Sequence, residues 1–126
     1  MNSSSPATSV LDEVRTWPGV STQPTPRGST AIVFEGHELG HVHSDRGTLD
    51  LPLSDGRRAK VLAAARAKEW FENWVTKRLA NDGDAEDGIA LLRMLQADAL
   101  QVLKKNVLGL THGFACGRRM IVDSSL

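Results

Sequence analysis

The sequence lacks the residues needed for a covalently cross-linked, membrane-bound or strongly charged protein. It contains one cysteine, Cys116, in 126 residues, so no disulfide can form within the chain and we expect a reducing, cytoplasmic location. Fifteen basic and fifteen acidic residues cancel, which removes the broad positive field that attracts proteins to phosphates and acidic membranes. The chain has no apolar run of membrane-spanning length and no basic or apolar leader at its start, so we expect no membrane partner.

Two common nucleotide-binding fingerprints are also missing. Neither G-x-G-x-x-G nor G-x-x-x-x-G-K-[ST] occurs in the chain. What is present is the composition of an ordinary globular domain, with 40% hydrophobic and 24% charged residues. The length is that of one domain rather than two.

The hydrophobic pattern predicts a two-layer α+β domain, in which flanking helices cover an antiparallel sheet of about four strands. We expect a flexible tail over 1–7, the α+β domain over 8–106 and an irregular tail over 107–126. An extended or edge segment is predicted over 21–28. The strands are predicted over 30–34, 38–44, 48–53 and 73–79.

Three helices complete the predicted domain. The first begins at Thr8 or Ser9 and ends before Pro18, and the others run over 55–68 and 85–105. The segment after Asn106 mixes glycines with apolar residues, so it either adds a strand over 120–122 or hangs loose. Its apolar side chains could contact a protein partner or a second copy, and both a monomer and a homodimer stay open.

One stretch of the predicted sheet concentrates polar side chains. If the strand is regular, His37, His41, His43 and Asp45 project from one face. Imidazoles and a carboxylate in this pattern can hold a divalent metal such as zinc, with His41, His43 and Asp45 as ligands. The alternatives are a polar ligand site that also includes Asp50, and histidines whose hydrogen bonds are satisfied within the fold.

The turn after this strand decides how the cluster faces. A two-residue loop at 46–47 would pair His43 with Asp50 on the face away from the core leucines. A three-residue loop, with Gly47 in the left-handed conformation, would bring the histidines beside those leucines and closer to a buried pocket. The sequence leaves both registers open.

The string Gly36-His-Glu-Leu-Gly-His-Val-His-Ser-Asp-Arg46, followed by Asp50-Leu-Pro52, resembles the small family of uncharacterised proteins known as luciferase family protein or luciferase domain. The resemblance continues through Asn73-Trp-Val-Thr76 and covers roughly residues 10–100. It does not imply light emission, because flavin-dependent light-emitting enzymes use a TIM-type barrel of about 250 residues. The sequence departs from the family pattern before Trp74, where the usual Pro-His-His is missing.

These observations support three functions, in order. The first is a small ligand-binding or partner-binding module whose site contains His37, His41, His43, Asp45 and Asp50. The second is a metal-dependent enzyme that uses His41 and His43. The third is a nucleic-acid-binding protein, which needs a continuous basic surface formed by Arg57, Arg58, Lys60, Lys77 and Arg78.

Two tryptophans flank the last predicted strand. Trp70 and Trp74 can stack on a flat ligand or on a base. The alternative is that both rings pack in the core or at its rim. Gly40, between the histidines, leaves room for a group to approach the backbone.

Overall fold

The computed structural model describes residues 5–70 and 72–112. Its elements run, in chain order, α1 (Pro6–Val14), β1 (Val20–Pro24), β2 (Thr30–Phe34), β3 (His37–His43), β4 (Thr48–Pro52), α2 (Asp55–Ala63), β5 (Lys68–Glu69), β6 (Trp74–Arg78) and α3 (Asp82–His112). The strands form one open antiparallel sheet in the order β1-β2-β3-β4-β6-β5. The predicted α+β class and antiparallel sheet are confirmed.

The predicted count of about four strands is wrong, because the sheet has six. The segment expected to be extended or to lie at an edge is a true edge strand, since β1 pairs with β2 from Val20 to Pro24. Pro24 is the last residue of that strand, so the turn formers that follow it interrupt no pairing. The other extra strand, β5, is too short to give a hydrophobic pattern.

The β2–β3 hairpin follows the sequence closely. β2 covers the five residues Thr30–Phe34, as predicted. The turn at Glu35 and Gly36 has φ values of +50° and +84°. Two successive positive φ angles are typical of the tight hairpin turns whose twist matches that of the paired strands.

The hydrophobic core lies between one face of the sheet and the helices. α1 and α3 contact each other and β3, and α3 also contacts β6. The guanidinium of Arg93 lies 4.2 Å from the centre of the Trp17 ring and links α3 to the end of α1. Fully buried core residues include Val10, Val14, Ile32, Leu49, Leu51, Val75, Leu91 and Leu92. The opposite face of the sheet is not covered by α1 or α3.

Helix α1 begins earlier than predicted. Ser5 is its N-cap, and the Ser5 hydroxyl accepts a hydrogen bond from the amide of Thr8 at 3.1 Å. Pro6 occupies the first turn, where a residue without an amide hydrogen is tolerated. Ala7 is buried, so the prediction of a flexible tail over 1–7 is wrong for residues 5–7. Residues 1–4 lie outside the described part of the chain.

Helix α2 ends at Ala63, before the predicted end at residue 68. The amide of Arg66 donates to the carbonyl of Val61 at 3.1 Å, and the amide of Ala65 donates to that of Leu62 at 3.0 Å. Ala65 has φ +57°, the left-handed conformation that usually selects glycine at a helix end. Because an alanine takes this position, the sequence carries no stop signal there.

Helix α3 is longer than predicted at both ends. Its first turn is capped by Asn81, whose side-chain oxygen accepts from the amide of Asp84 at 2.8 Å. The helix continues to His112, so the start of the tail predicted to be irregular is helical, and the isolated Gly109 does not end it. Residues 113–126, including Cys116 and the possible strand over 120–122, lie outside the described residues. Within the described residues, no helix combines the length and the apolar content needed to cross a bilayer.

Candidate functional site

A β-bulge in β3 decides which polar side chains share a face of the sheet. The register with β2 shifts after Ile32, which pairs with Gly40, whereas Val33 pairs with Glu38. Leu39 is therefore the extra residue of the bulge. Because of this one residue, Glu38 lies on the same face as His41.

The assumption of a regular strand was therefore wrong for His37. This residue pairs with Phe34, whose side chain is buried in the core. Paired residues of neighbouring strands project to the same side of a sheet. His37 consequently projects away from the face that carries His41.

The hairpin between β3 and β4 brings Asp50 to the two remaining histidines. The pairs are His41 with Asp50 and His43 with Thr48, which leaves residues 44–47 as a four-residue loop. Both loop lengths considered from the sequence are wrong. Because an even number of loop residues preserves the alternation, the histidines and Asp50 still share the face opposite the core. Asp45 lies in the loop and is exposed.

Asp50 forms the centre of the cluster. Its Oδ2 atom lies 3.1 Å from Nε2 of His43 and 3.3 Å from Nε2 of His41, and its side chain is only 5% exposed. Burial raises the pKa of Asp50, but hydrogen bonds from His41 and Thr76 outweigh it, so that the net pKa lies below the ordinary value. The carboxyl group is therefore ionised and accepts several hydrogen bonds.

His41 lies between two carboxylates. Its Nδ1 atom is 2.9 Å from Oε2 of Glu38, on the side away from Asp50. The hydrogen bond to Asp50 raises the pKa of His41, burial opposes it, and the hydrogen bond to Glu38 raises it further, giving a net increase. With an acceptor at each nitrogen, the ring is suited to the doubly protonated form. In that form it can donate a hydrogen bond or a proton.

Nδ1 of His43 faces a hydrogen-bond donor, whereas Nδ1 of His41 faces an acceptor. Nδ1 of His43 lies 3.1 Å from a guanidinium nitrogen of Arg46. Because a guanidinium only donates, we assign Nδ1 as the acceptor and place the ring proton on Nε2, from which it is donated to Asp50. His43 is thus a buried link between Arg46 and Asp50.

These groups line a cleft of about 430 Å³. Thr25, Arg27 and Ser29 of the β1–β2 turn form one side. Trp70 and Trp74 form part of the lining, and the centre of the Trp74 ring lies 4.9 Å from that of His41. Trp70 is 52% exposed.

Metal binding was predicted for His41, His43 and Asp45, but the structure brings a different carboxylate to the histidines. Donor atoms of His41, His43 and Asp50 lie within 4.8 Å of one another. A metal-bound histidine usually donates its other ring N–H to an acceptor. Glu38 provides that acceptor for His41, whereas Arg46 faces His43 with a donor. A metal would therefore fit only if Arg46 moved away.

Sequence reasoning missed Glu38, Arg46 and Thr76 as partners of the histidines and Asp50. The bulge conceals Glu38, and Thr76 meets Asp50 only through the pairing of β4 with β6. The room at Gly40 was misinterpreted. A Cβ atom there would lie 2.7 Å from the backbone oxygen of Asp50, so this space is already occupied by the neighbouring strand.

The basic residues of the nucleic-acid hypothesis do not form a free surface. Arg57 pairs with Asp98 at 2.8 Å, Arg58 pairs with Glu69, and Lys77 is buried and pairs with Asp87 at 3.0 Å. Within the described chain, Lys60 and Arg78 are the members of this set that lack a carboxylate partner.

Comparison with known proteins agrees with the resemblance in the sequence. The family described as "Luciferase domain" matches residues 36–95, and this match supports the assignment to the luciferase-domain family. The matched segment includes β3, β4 and β6, and therefore His41, His43 and Asp50. The curated proteins and the solved structures gave no significant match.

Proposed function

From the luciferase-domain match at residues 36–95 and the geometry of the cleft, we propose that the chain is a binding module for a small ligand with a flat ring. The observation that carries this proposal is the position of Trp70. It is a large apolar side chain left 52% exposed beside a concave cleft. Ligand sites commonly combine an aromatic wall with a few fixed polar groups.

The aromatic lining suits a ring. Trp74 is partly buried and already lies against His41, while Trp70 remains open to solvent on the same cleft. A flat ring that stacks on Trp70 would bury apolar surface and gain the favourable geometry of offset aromatic pairs. An aliphatic ring of similar size would gain less.

The polar groups of the cleft determine what the ring carries. Asp50 is occupied by the hydrogen bonds from His41, His43 and Thr76. Arg46 uses one guanidinium nitrogen on His43, which leaves other N–H groups to donate. Because hydrogen-bond donors predominate among the spare groups, the ligand should carry an acceptor such as a carboxylate, a phosphate or a carbonyl.

Tryptophan fluorescence tests this proposal with benzoate as the probe and cyclohexanecarboxylate as its non-aromatic control. The third tryptophan, Trp17, is only 4% exposed in the core, so saturable quenching would report the cleft. We expect benzoate to quench at millimolar concentration, the control acid to act much more weakly, and Trp70→Ala to abolish the effect. Leu100→Ala, which changes the other large exposed apolar side chain of the described residues, should have no effect. Equal responses to both acids, or no saturable response, would contradict the proposal.

A metal-dependent enzyme is the second candidate, favoured by the donor atoms of His41, His43 and Asp50 within 4.8 Å of one another. Elemental analysis of protein without a histidine tag, followed by zinc titration, tests it. One equivalent of zinc that is lost in His41→Ala and His43→Ala, but kept in the control His37→Ala, would establish the metal site. Absence of stoichiometric zinc would favour the proposed ligand module.

A further inference from the structure

Positive side chains without carboxylate partners gather beside the cleft. Arg15, Arg57, Arg58, Arg66, Lys77 and Arg93 all form ion pairs. Within the described residues, the cations that form no such ion pair are Arg27, Arg46, Lys60, Lys68, Arg78, Lys104 and Lys105. Lys60 lies on α2, and Lys104 and Lys105 lie on α3. The remaining four line the cleft described above or a second cleft that adjoins it.

The second cleft has a volume of about 720 Å³ and shares Arg46 with the first. Lys68 reaches it from β5, where it pairs with Thr76, and Arg78 reaches it from β6, where it pairs with Thr48. Both threonines also line this cleft. Three unpaired cations and two hydroxyl groups thus converge from separate strands on one concave surface.

The negative charge in this cleft is already engaged. Asp84 is its acidic residue, and one of its oxygens accepts from the amide of Ala80 at 2.8 Å while the other lies 4.0 Å from Lys77. Arg66, which also lines the cleft, is held by Asp87. The excess of positive charge therefore rests on Arg46, Lys68 and Arg78.

We propose that this second cleft is a phosphate-binding subsite, so that the ligand is a flat ring bearing a phosphate group. The ring part rests on the proposed function, whereas the phosphate part rests on Arg46, Lys68 and Arg78 alone. Arginine offers paired donors to phosphate oxygens, and lysine adds a compact charge. Arg46 stands at the junction of the two clefts, where the ring and the phosphate would be joined.

A small phosphorylated molecule fits this surface better than a nucleic acid does. A nucleic acid needs a basic surface that continues along the strand. Here the neighbouring cations Arg57, Arg58 and Lys77 are neutralised by carboxylates. Among the described residues of the sheet and its loops, the unpaired positive charge lies in the adjoining clefts, whereas Lys60, Lys104 and Lys105 lie apart from them on α2 and α3.

The test is a titration of the full chain with inorganic pyrophosphate, followed by amide NMR at constant ionic strength. We expect saturable shifts at Thr48, Lys68, Thr76 and Arg78. The double variant Lys68→Ala/Arg78→Ala, whose residues are both exposed, should bind roughly tenfold more weakly or worse, since charge-assisted hydrogen bonds are lost. The control Lys104→Ala/Lys105→Ala removes the same charge from α3 and should bind like the wild type.

Two results would overturn the phosphate subsite: shifts spread over unrelated lysines, or equal weakening in the control variant. A single-stranded oligonucleotide that produces the same shifts at much lower concentration than pyrophosphate would instead identify a nucleic-acid surface and overturn the small-molecule ligand. Benzoate quenching distinguishes the two proposals. It should persist in Lys68→Ala/Arg78→Ala, and its absence in the wild type would count against the ring site while leaving the pyrophosphate result decisive for the phosphate.

Discussion

The Arg46 guanidinium lies 3.1 Å from Nδ1 of His43, and this contact gives two neighbouring histidines different roles. Because Nδ1 of His43 accepts a hydrogen bond from Arg46, the ring proton is on Nε2, which donates a hydrogen bond to Asp50. His41, two residues earlier, has carboxylates at both nitrogens instead. His43 is therefore part of the support of the site, whereas His41 is the ring that a ligand can reach.

The two histidines should differ in their contribution to stability. The His43 side chain is 8% exposed and that of His41 is 23% exposed. We expect His43→Ala to lower the free energy of unfolding by about 1–3 kcal/mol, because it leaves buried partners without a hydrogen bond. His41→Ala should cost less, since Glu38 is open to water and Asp50 keeps its hydrogen bonds from His43 and Thr76. Urea unfolding of both variants checks this order, and a larger loss for His41→Ala would contradict it.

The burial of His43 limits what a variant with both histidines replaced, His41→Ala/His43→Ala, can reveal about function. From the sequence, a functional pair of histidines should tolerate alanine with a change of no more than about 1 kcal/mol. The burial of His43 makes a larger loss compatible with a functional site. Ligand binding is therefore better tested with His41→Ala alone.

Asp50 and Asp45 form a matched pair for a charge-removing substitution. Asp50→Asn should destabilise the fold by about 1–3 kcal/mol, because the amide places a donor against the donors of His41, His43 and Thr76. Asp45→Asn, in the exposed loop, should stay within about 0.5 kcal/mol of the wild type. Thermal or urea unfolding measures both. Equal effects would show that Asp50 does not hold the histidines.

The His41–Asp50 pair should make stability depend on pH in a defined direction. The pKa of His41 is raised from 6.5, so its stabilising contribution is complete below pH 6.5 and is lost as the pH rises through the folded-state pKa. The pKa of Asp50 is lowered from 3.8, so its contribution is complete above pH 3.8 and is lost as the pH falls through the folded-state pKa. The pair should therefore contribute most between these two values.

Unfolding free energies of the wild type and His41→Gln, measured from pH 3 to pH 9, test this dependence. The difference between the two proteins should be largest in mildly acidic solution and should shrink in alkaline solution. A difference that grows above pH 6.5 would show that His41 is neutral in the folded protein.

Gly40 should tolerate no side chain. Its Cβ would lie 2.7 Å from the Asp50 backbone oxygen and 3.0 Å from Leu51, and Gly40→Ala should cost about 1–3 kcal/mol by overpacking. Gly56 in α2 has no atom within 4 Å of such a Cβ, so Gly56→Ala should stabilise the helix by up to about 1 kcal/mol. Opposite shifts of the melting temperature are expected, and a neutral Gly40→Ala would contradict the close approach of β4.

The sequence predicted the features that depend on local patterns. A run of β-branched and aromatic residues identified β2, and the pair Glu35-Gly36 identified its turn. The family string identified the neighbourhood of His41 and His43. These features depend on a few adjacent residues, whose conformational preferences act over the same short distance.

The features that escaped prediction depend on contacts between distant residues. Neither the end of α2, where the following Ala65 has φ +57°, nor the two-residue strand β5 has a local signal. The choice of Asp50 over Asp45 depends on the length of the β3–β4 loop, and the sequence left that length open. Ion pairs such as that of Arg57 with Asp98 join residues far apart in the sequence, so the sequence alone does not show that these basic side chains are neutralised.

The bulge at Leu39 has a consequence for the acid–base chemistry of the cleft. In a regular strand, alternation would turn Glu38 toward the core, and His37 would stand about 13 Å along the strand from His41, too far for contact. With the bulge, Oε2 of Glu38 instead lies 2.9 Å from Nδ1 of His41. A neighbouring carboxylate increases the basicity of an imidazole, so a single residue inserted in the backbone gives His41 a partner that helps it to retain its proton, without any change in which ionisable side chains the strand contains.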